Sequence, residues 1–427
     1  MTGTAAAAAQ PPAGPLAAPR AIRVARAFFL IAALGSVSSP PVANIFAFLA
    51  LLAFAAIPGA GNRLARAARS PLGLGILALL AVLALAMLWA DGVPWERRFG
   101  SLWSWRPLVL ALVGSALFDE APAKDRFAIG MVAFLALSAA ASFALALAGV
   151  IVIDEPGILL RNHVTQGMAF VAGAALAAML AWGRPASRGR RAWLIAAIVL
   201  FAANLATITS GRSAHIALVV AMVAVAFSLV PARLRWGALL GAAVLGVGVL
   251  AAAPMVRHRF EAVYSEVGTV ETSAVATSSG IRIVIWETTR ELIARRPWLG
   301  YGMGGFVPAY DRLIHEHVVD SGNWRDASRA KDTHNEYLHI LVEAGVPGML
   351  AFLLYCAGVM RQRAAQPYRA TGIALFLAWL ATSLFNSHFQ TFAEAHLLGL
   401  VLGALLAIEA PHQAPASAAR ASSATSS

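Results

Sequence analysis

AFFLIAALGSVSSPPVANIFAFLALLAFAAIP, residues 27 to 58, runs for 32 residues without one charged side chain. As a single helix it would be about 48 Å long at 1.5 Å per residue, well beyond the ~30 Å hydrocarbon core of a bilayer. Pro40-Pro41 lies near its middle, and two adjacent residues without an amide hydrogen break a helix. The stretch therefore reads as a hairpin of two spans. One span would put the arginine clusters around Arg23 and Arg66 on opposite sides of a membrane; a hairpin keeps them together.

The rest of the chain is of the same kind. Its 427 residues are 59% hydrophobic and only 13% charged, with a mean hydropathy of +0.71, far more apolar than a soluble domain. Uncharged runs at 71–90 and 127–153 reach the length of about 20 residues that a helix needs to cross the hydrocarbon. Their Ala/Leu/Gly/Val composition lacks the period-2 alternation of a β-barrel. The expected fold is an all-α polytopic membrane protein of about twelve transmembrane helices with a large periplasmic loop containing short helices. The windows fall near 24–39, 42–58, 72–90, 104–118, 127–150, 165–182, 192–209, 213–230, 236–254, 337–360, 370–387 and 394–410. Residues 1–19 and 411–427 read as disordered tails. Spans one to nine occupy 20–254, a loop subdomain 255–333, and spans ten to twelve 334–410. The first apolar run is followed by further spans, so no cleavable signal peptide is expected. The single cysteine, Cys356, permits no disulfide framework within the chain. The net charge of +12 does not form a basic stripe with interleaved aromatics, so no nucleic-acid partner is expected.

Lys and Arg in short loops are retained in the cytoplasm. With the N-terminus inside, eighteen of them fall in cytoplasmic segments, from Arg20 through Arg420, against five (Arg97, Arg98, Arg106, Arg161 and Arg212) in the opposite short loops. Both termini are then cytoplasmic. The long connection ending at Thr333 faces outward, holds ten Lys/Arg and ten Asp/Glu, and is too long for the short-loop rule to govern. Within it IRIVIWETTRELIARR, 281 to 296, reads as an amphipathic helix suited to a membrane surface.

KDTHNEYLHILVEAGVPG, 331 to 348, closes that loop and enters the next span. Thr333-x-x-Glu336 fits a capping box with Thr333 as N-cap and Glu336 reaching back to its amide. His334 would then be the first helical residue, where the positive end of the helix dipole disfavours imidazolium and keeps the ring able to accept a proton. A neutral imidazole at a headgroup boundary suits a general base acting on the hydroxyl of a membrane-anchored acceptor; the plain alternative is a polar helix start. His339, about 140° further round the helix, should not share a face with His334. Glu343 should face the bundle interior, and Gly345-Val346-Pro347-Gly348 should kink the helix. Arg212, in ATITSGRSAHIAL, sits between two helices with almost no loop and needs an anion or a water-filled cleft, unless it snorkels to headgroups. Arg282 and Arg161 lie on the same side. Arginine pairs bidentately with phosphate and never loses its charge. His315-Glu316-His317 lacks the further ligands of a closed metal site.

His334-Asn335, nine residues, then Gly345-x-x-Gly348 resembles the signature of the O-antigen ligase and polymerase superfamily. Three further pieces match in order: Thr207 to Arg212 (T-x-x-S-G-R), Ser279 to Arg282 (S-G-x-R) and Pro297 to Phe306 (P-W-L-G-Y-G-M-G-G-F). Met349-Leu350 departs from the hydroxyl residues that often follow the second glycine in ligases. The resemblance implies a membrane glycosyltransferase of the bacterial inner membrane that moves a glycan from undecaprenyl pyrophosphate to a sugar hydroxyl on lipid A-core at the periplasmic face. No metal or other cofactor is implied. His334 would be the catalytic base, and Arg212, Arg282 and Arg161 would hold the pyrophosphate. Asn335, Tyr337, His339 and Glu336 would support the site or contact the acceptor, with inversion at the anomeric carbon. The runner-up readings are an O-antigen polymerase or a protein O-oligosaccharyltransferase of the same superfamily, and, in a different class, a transporter of lipid-linked glycans.

Overall fold

A computed structural model describes residues 20–209, 211–229, 232–237, 240, 278–317 and 330–409. The opening stretch is a hairpin. α1 (Arg20–Ser38) ends two residues before α2 (Pro40–Ala55) begins, with Ser39 extended and proline opening the second helix, where a missing amide hydrogen costs nothing. α2 then turns by 111° into α3 (Ala60–Ala68), a short amphipathic helix that falls between two apolar windows of the sequence.

Further helices follow: α4 (Pro71–Ala86), α5 (Trp95–Ser104), α6 (Pro107–Leu117), α7 (Ala121–Leu147), α8 (His163–Trp182), α9 (Arg188–Thr207) and α10 (Arg212–Leu229). After the gap come α11 (Ser278–Arg295), α12 (Phe306–His317), α13 (Glu336–Arg361), α14 (Tyr368–Thr382) and α15 (Phe392–Leu405). No strand occurs among the described residues. Eleven of the twelve expected windows contain a helix; the remaining one, 236–254, and both tails lie largely or wholly outside the described residues. Among the described residues five helices, α1, α7, α8, α9 and α13, are long and apolar enough to cross a membrane, six if the bent α2–α3 pair counts as one. α4, α14 and α15, at 16, 15 and 14 residues, rise only about 21–24 Å each at 1.5 Å per residue.

α8 forms the centre. Almost every residue from Thr165 to Ala181 is buried, and its Ala/Gly surface lets α7, α9, α10 and α14 approach closely. The expected amphipathic helix exists as α11, but its buried face, Ile285 and Leu292 with Thr289 between them, is turned inward. It packs on α12 through Phe306, Tyr310 and Leu313 and on Val342 of α13.

α13 breaks where the glycines predict. Gly345 has φ 61° and ψ −157°, and a β-carbon there would run into the carbonyl oxygen of Trp298. The 297–301 loop satisfies the opened backbone: the Val346 amide donates to Pro297 and Trp298 (3.2 Å each), and the Tyr301 amide donates to the Val342 carbonyl (2.8 Å). The P-W-L-G-Y-G segment thus supplies the hydrogen bonds that the break removes.

A candidate site at the broken helix

His334 is not the first helical residue. The N-cap of α13 is Asn335, whose side-chain oxygen accepts from the amides of Tyr337 and Leu338 (3.0 and 3.1 Å). The expected capping box does not form: Thr333 hydrogen-bonds Asn335 through its hydroxyl, and Glu336 turns elsewhere. The Thr333 hydroxyl is spent on the Asn335 backbone, and the Glu336 amide that it would cap donates to the Ser383 carbonyl instead. His334 sits outside the helix in left-handed backbone, φ 47°. It is held by Asp332, whose Oδ1 accepts from the His334 amide at 2.7 Å and lies 3.2 Å from Nδ1. The dipole argument therefore gives way to a direct carboxylate partner. Arg161, φ 54°, is the only other non-glycine residue with positive φ among the described residues, and such backbone strain concentrates at functional positions.

Four supporting residues turn inward. Asn335 also donates to the Leu384 carbonyl (3.0 Å), so its amide is spent on architecture. Glu336 is fully buried and accepts from the Phe389 amide (2.9 Å) and the Gln390 side chain (2.7 Å). The Tyr337 hydroxyl, expected to contact sugar, donates to the Leu380 carbonyl at 2.8 Å, and its ring meets Phe352 edge-on. His339 is buried, with Nε2 3.4 Å from Glu343 Oε2. Because His334 lies off the helix, the helical-wheel separation of the two histidines does not apply.

The segment 383–391, SLFNSHFQT, between α14 and α15, gathers these parts. The Glu336 amide donates to Ser383 (2.9 Å). Phe385 lies 6.3 Å from the Trp286 ring, Asn386 donates to Ser213 (2.7 Å), and Ser387 donates to Asp332 (3.3 Å). Ser213 follows Arg212 at the start of α10. Trp286, one turn beyond Arg282 on α11, donates to the Thr333 carbonyl (3.0 Å). The elements bearing His334, Arg212 and Arg282 are thus fastened to one turn. No charge marks that turn in the sequence; its histidine, His388, has no hydrogen-bond partner among the described residues, and burial pushes its pKa down to about 3.

Arg161 is positioned by a separate buried network. Gln166 accepts from the amides of Leu159 and Leu160 (3.0 and 3.2 Å) and donates to the Gly157 carbonyl (3.1 Å), holding the loop that enters α8. The Arg161 guanidinium stands 5.3 Å from the Phe392 ring centre, and Arg106 stands 5.2 Å from the same ring. Arg106 entered the sequence reading only through the charge asymmetry.

A cleft of about 530 Å³ lies alongside, lined among others by Ser101, Ser104, Asp332, His339, Glu343 and Gln390. Glu343, left unassigned by the sequence, is its anchor: Oε1 accepts from the Gly304 amide and Oε2 from the Ser101 hydroxyl, both at 2.9 Å. No group of three or more His, Cys, Asp or Glu side chains placed to hold a metal occurs among the described residues; the side chains of Glu316 and His317 lie outside them.

The described residues form an all-α bundle whose polar cleft is built on a glycine-broken helix. Residues 196–353 match the family model described as O-antigen ligase, a domain match that supports a place in the O-antigen ligase superfamily. The matched stretch carries Arg212, Arg282 and His334, while Arg161, Arg106 and the 383–391 turn lie outside it. No curated protein matches the chain.

Proposed function

We propose that the protein is an O-antigen ligase of the bacterial inner membrane, transferring a glycan from undecaprenyl pyrophosphate to a sugar hydroxyl of lipid A-core on the periplasmic side. The observation that carries this reading is the Asp332–His334 pair, fastened through the 383–391 turn to the helices bearing Arg212 and Arg282. An imidazole that donates from Nδ1 to a carboxylate presents the Nε2 lone pair as a base. His334 Nε2 takes the proton of the acceptor hydroxyl as its oxygen attacks the anomeric carbon. The carbon–oxygen bond to pyrophosphate breaks, and its electron pair leaves on the pyrophosphate oxygen with inversion at carbon. Arg212, Arg282 and Arg161 hold the pyrophosphate and stabilise the charge that grows on it. No metal or cofactor takes part in this scheme. The charge asymmetry supports the orientation: Arg26, Arg63, Lys124 and Arg184, assigned to the cytoplasm, gather with their acidic partners around the starts of α1 and α7, away from the His334 end.

The test is reconstitution of the purified chain with lipid-linked glycan and rough lipopolysaccharide. Ligation predicts a capped lipopolysaccharide, absent with His334→Ala. A longer lipid-linked chain would instead make the enzyme a polymerase, a glycosylated protein acceptor would make it a protein ligase, and unimpaired transfer by His334→Ala would remove the base assignment.

A further inference from the structure

We propose that the cleft beside His334 is a carbohydrate subsite that takes a sugar carrying a phosphate or carboxylate group, with Arg97 and Lys331 receiving the anion. This rests on the glycosyl-transfer reading above and names the chemistry of the acceptor side.

The volume, about 530 Å³, lies in the range of small-molecule sites. Its wall includes Asp332, the residue that orients His334, so a hydroxyl bound there lies beside the base. Its interior offers a mixed set of hydroxyl, amide and carboxylate groups, including Ser104 and Gln390, and donors interspersed with acceptors are what the hydroxyls of a sugar pair with. Gln390 is held by the buried Glu336 at 2.7 Å, which fixes the direction of its amide. Phe306 supplies an apolar surface at the same cleft.

Charge sets the class of sugar. Both carboxylates in the cleft are already engaged: Glu343 with the Gly304 amide and Ser101, Asp332 with His334 and Ser387. Arg97 and Lys331 line the same cleft, are exposed, and make no ion pair among the described residues. Two solvent-facing cations beside a set of sugar-compatible groups fit an anionic substituent on the ring. Thr391, which also lines the cleft, precedes Phe392, the ring shared by Arg106 and Arg161. The sugar subsite and Arg161, one of the arginines proposed for pyrophosphate, therefore adjoin through one residue.

The full chain in phosphatidylcholine nanodiscs, titrated with glucose 6-phosphate, glucose and inorganic phosphate by ligand-observed NMR, tests this. Glucose 6-phosphate should bind about tenfold more tightly than glucose, the low end of what a charge-assisted hydrogen bond supplies. Arg97→Gln with Lys331→Gln should erase that advantage and leave glucose binding unchanged, while Gln390→Ala should weaken both sugars. Equal binding of the two sugars, no binding of either, or inorganic phosphate competing as well as the phosphorylated sugar would overturn the subsite. So would displacement of glucose 6-phosphate by phosphatidylglycerol in the nanodisc, which would assign the two cations to headgroups. Since the readout is binding, His334→Ala should bind glucose 6-phosphate normally; failure of transfer by the wild type with intact sugar binding would strike the catalytic reading alone.

Discussion

The two ends of the helix bundle treat charge differently. At one end Arg26 reaches Asp119 at 3.0 Å and Glu120 at 3.3 Å, Arg63 reaches the other oxygen of Asp119 at 2.6 Å, and Arg184 meets Asp125 at 2.9 Å. Lys124, fully buried, is capped by the Ala407 carbonyl and Glu409. Each of these cations has an anion and each anion a cation. At the other end Arg97, Lys331 and Arg161 face a cleft or an aromatic ring, and the two strained non-glycine residues, His334 and Arg161, both occur there. A buried charge costs several kcal/mol unless paired, so closed pairs mark architecture. Under the proposed function, the cations that face the cleft beside His334 receive an anionic ligand.

The comparison can be broken or sharpened by mutation. The largest effect should come from His334→Ala, lowering transfer by about 10²–10⁴-fold; the residue is half-exposed, so the thermal transition of the purified protein should hardly move. Arg161→Lys and Arg212→Lys should each cost about 10- to 100-fold in transfer without restoring donor affinity, because an ammonium cannot repeat the bidentate geometry; titration with lipid pyrophosphate checks this. At the opposite end Arg26→Ala should reverse the pattern. It leaves Asp119 with Arg63 alone and costs about 1.5–3 kcal/mol of stability through the lost charge-assisted hydrogen bonds, visible as a lower melting temperature, with activity per folded molecule unchanged; lost turnover in the folded fraction would break the division between the two ends.

Gly345→Ala should destabilise by roughly 1–3 kcal/mol from the glycine-only backbone conformation alone, and by more through the collision with the Trp298 carbonyl. Both stability and transfer should fall, since the same break shapes the cleft. The smallest effect concerns acidity. His388 is held neutral, its pKa lowered from 6.5 to about 3 by burial, so the unfolded chain binds a proton that the folded chain refuses. Stability should decline as pH falls below 6.5 towards 3. His388→Gln should flatten that part of the profile in denaturant titrations; an unchanged slope would show that the ring is not the titrating group.

Much of this was legible in the sequence, though unevenly. The proline hairpin, eleven helical windows and the break at Gly345 follow from chain-local rules: apolar run length, missing amide hydrogens and glycine φ. The cap of α13 was misread by two residues because Thr333 and Asn335 both satisfy the capping pattern, and only the fold selects which oxygen meets the amides. Tyr337 looked available to a sugar until the bundle offered its hydroxyl the Leu380 carbonyl. Glu343 gave no sign of its role at the cleft, since two of its three partners, Ser101 and Gly304, lie far away in the chain.

The sequence by itself determined a helical, membrane-suited chain, the asymmetry of its basic residues, and the O-antigen ligase motif, because partitioning and backbone preference depend on near neighbours. Only the tertiary structure decided that Ser387 reaches Asp332 across 55 residues, that Glu336 is bound to Phe389 across 53 residues, and that an uncharged turn joins the arginine-bearing helices. Those contacts arise where distant segments pack, and no local pattern encodes a partner that folding has yet to bring near.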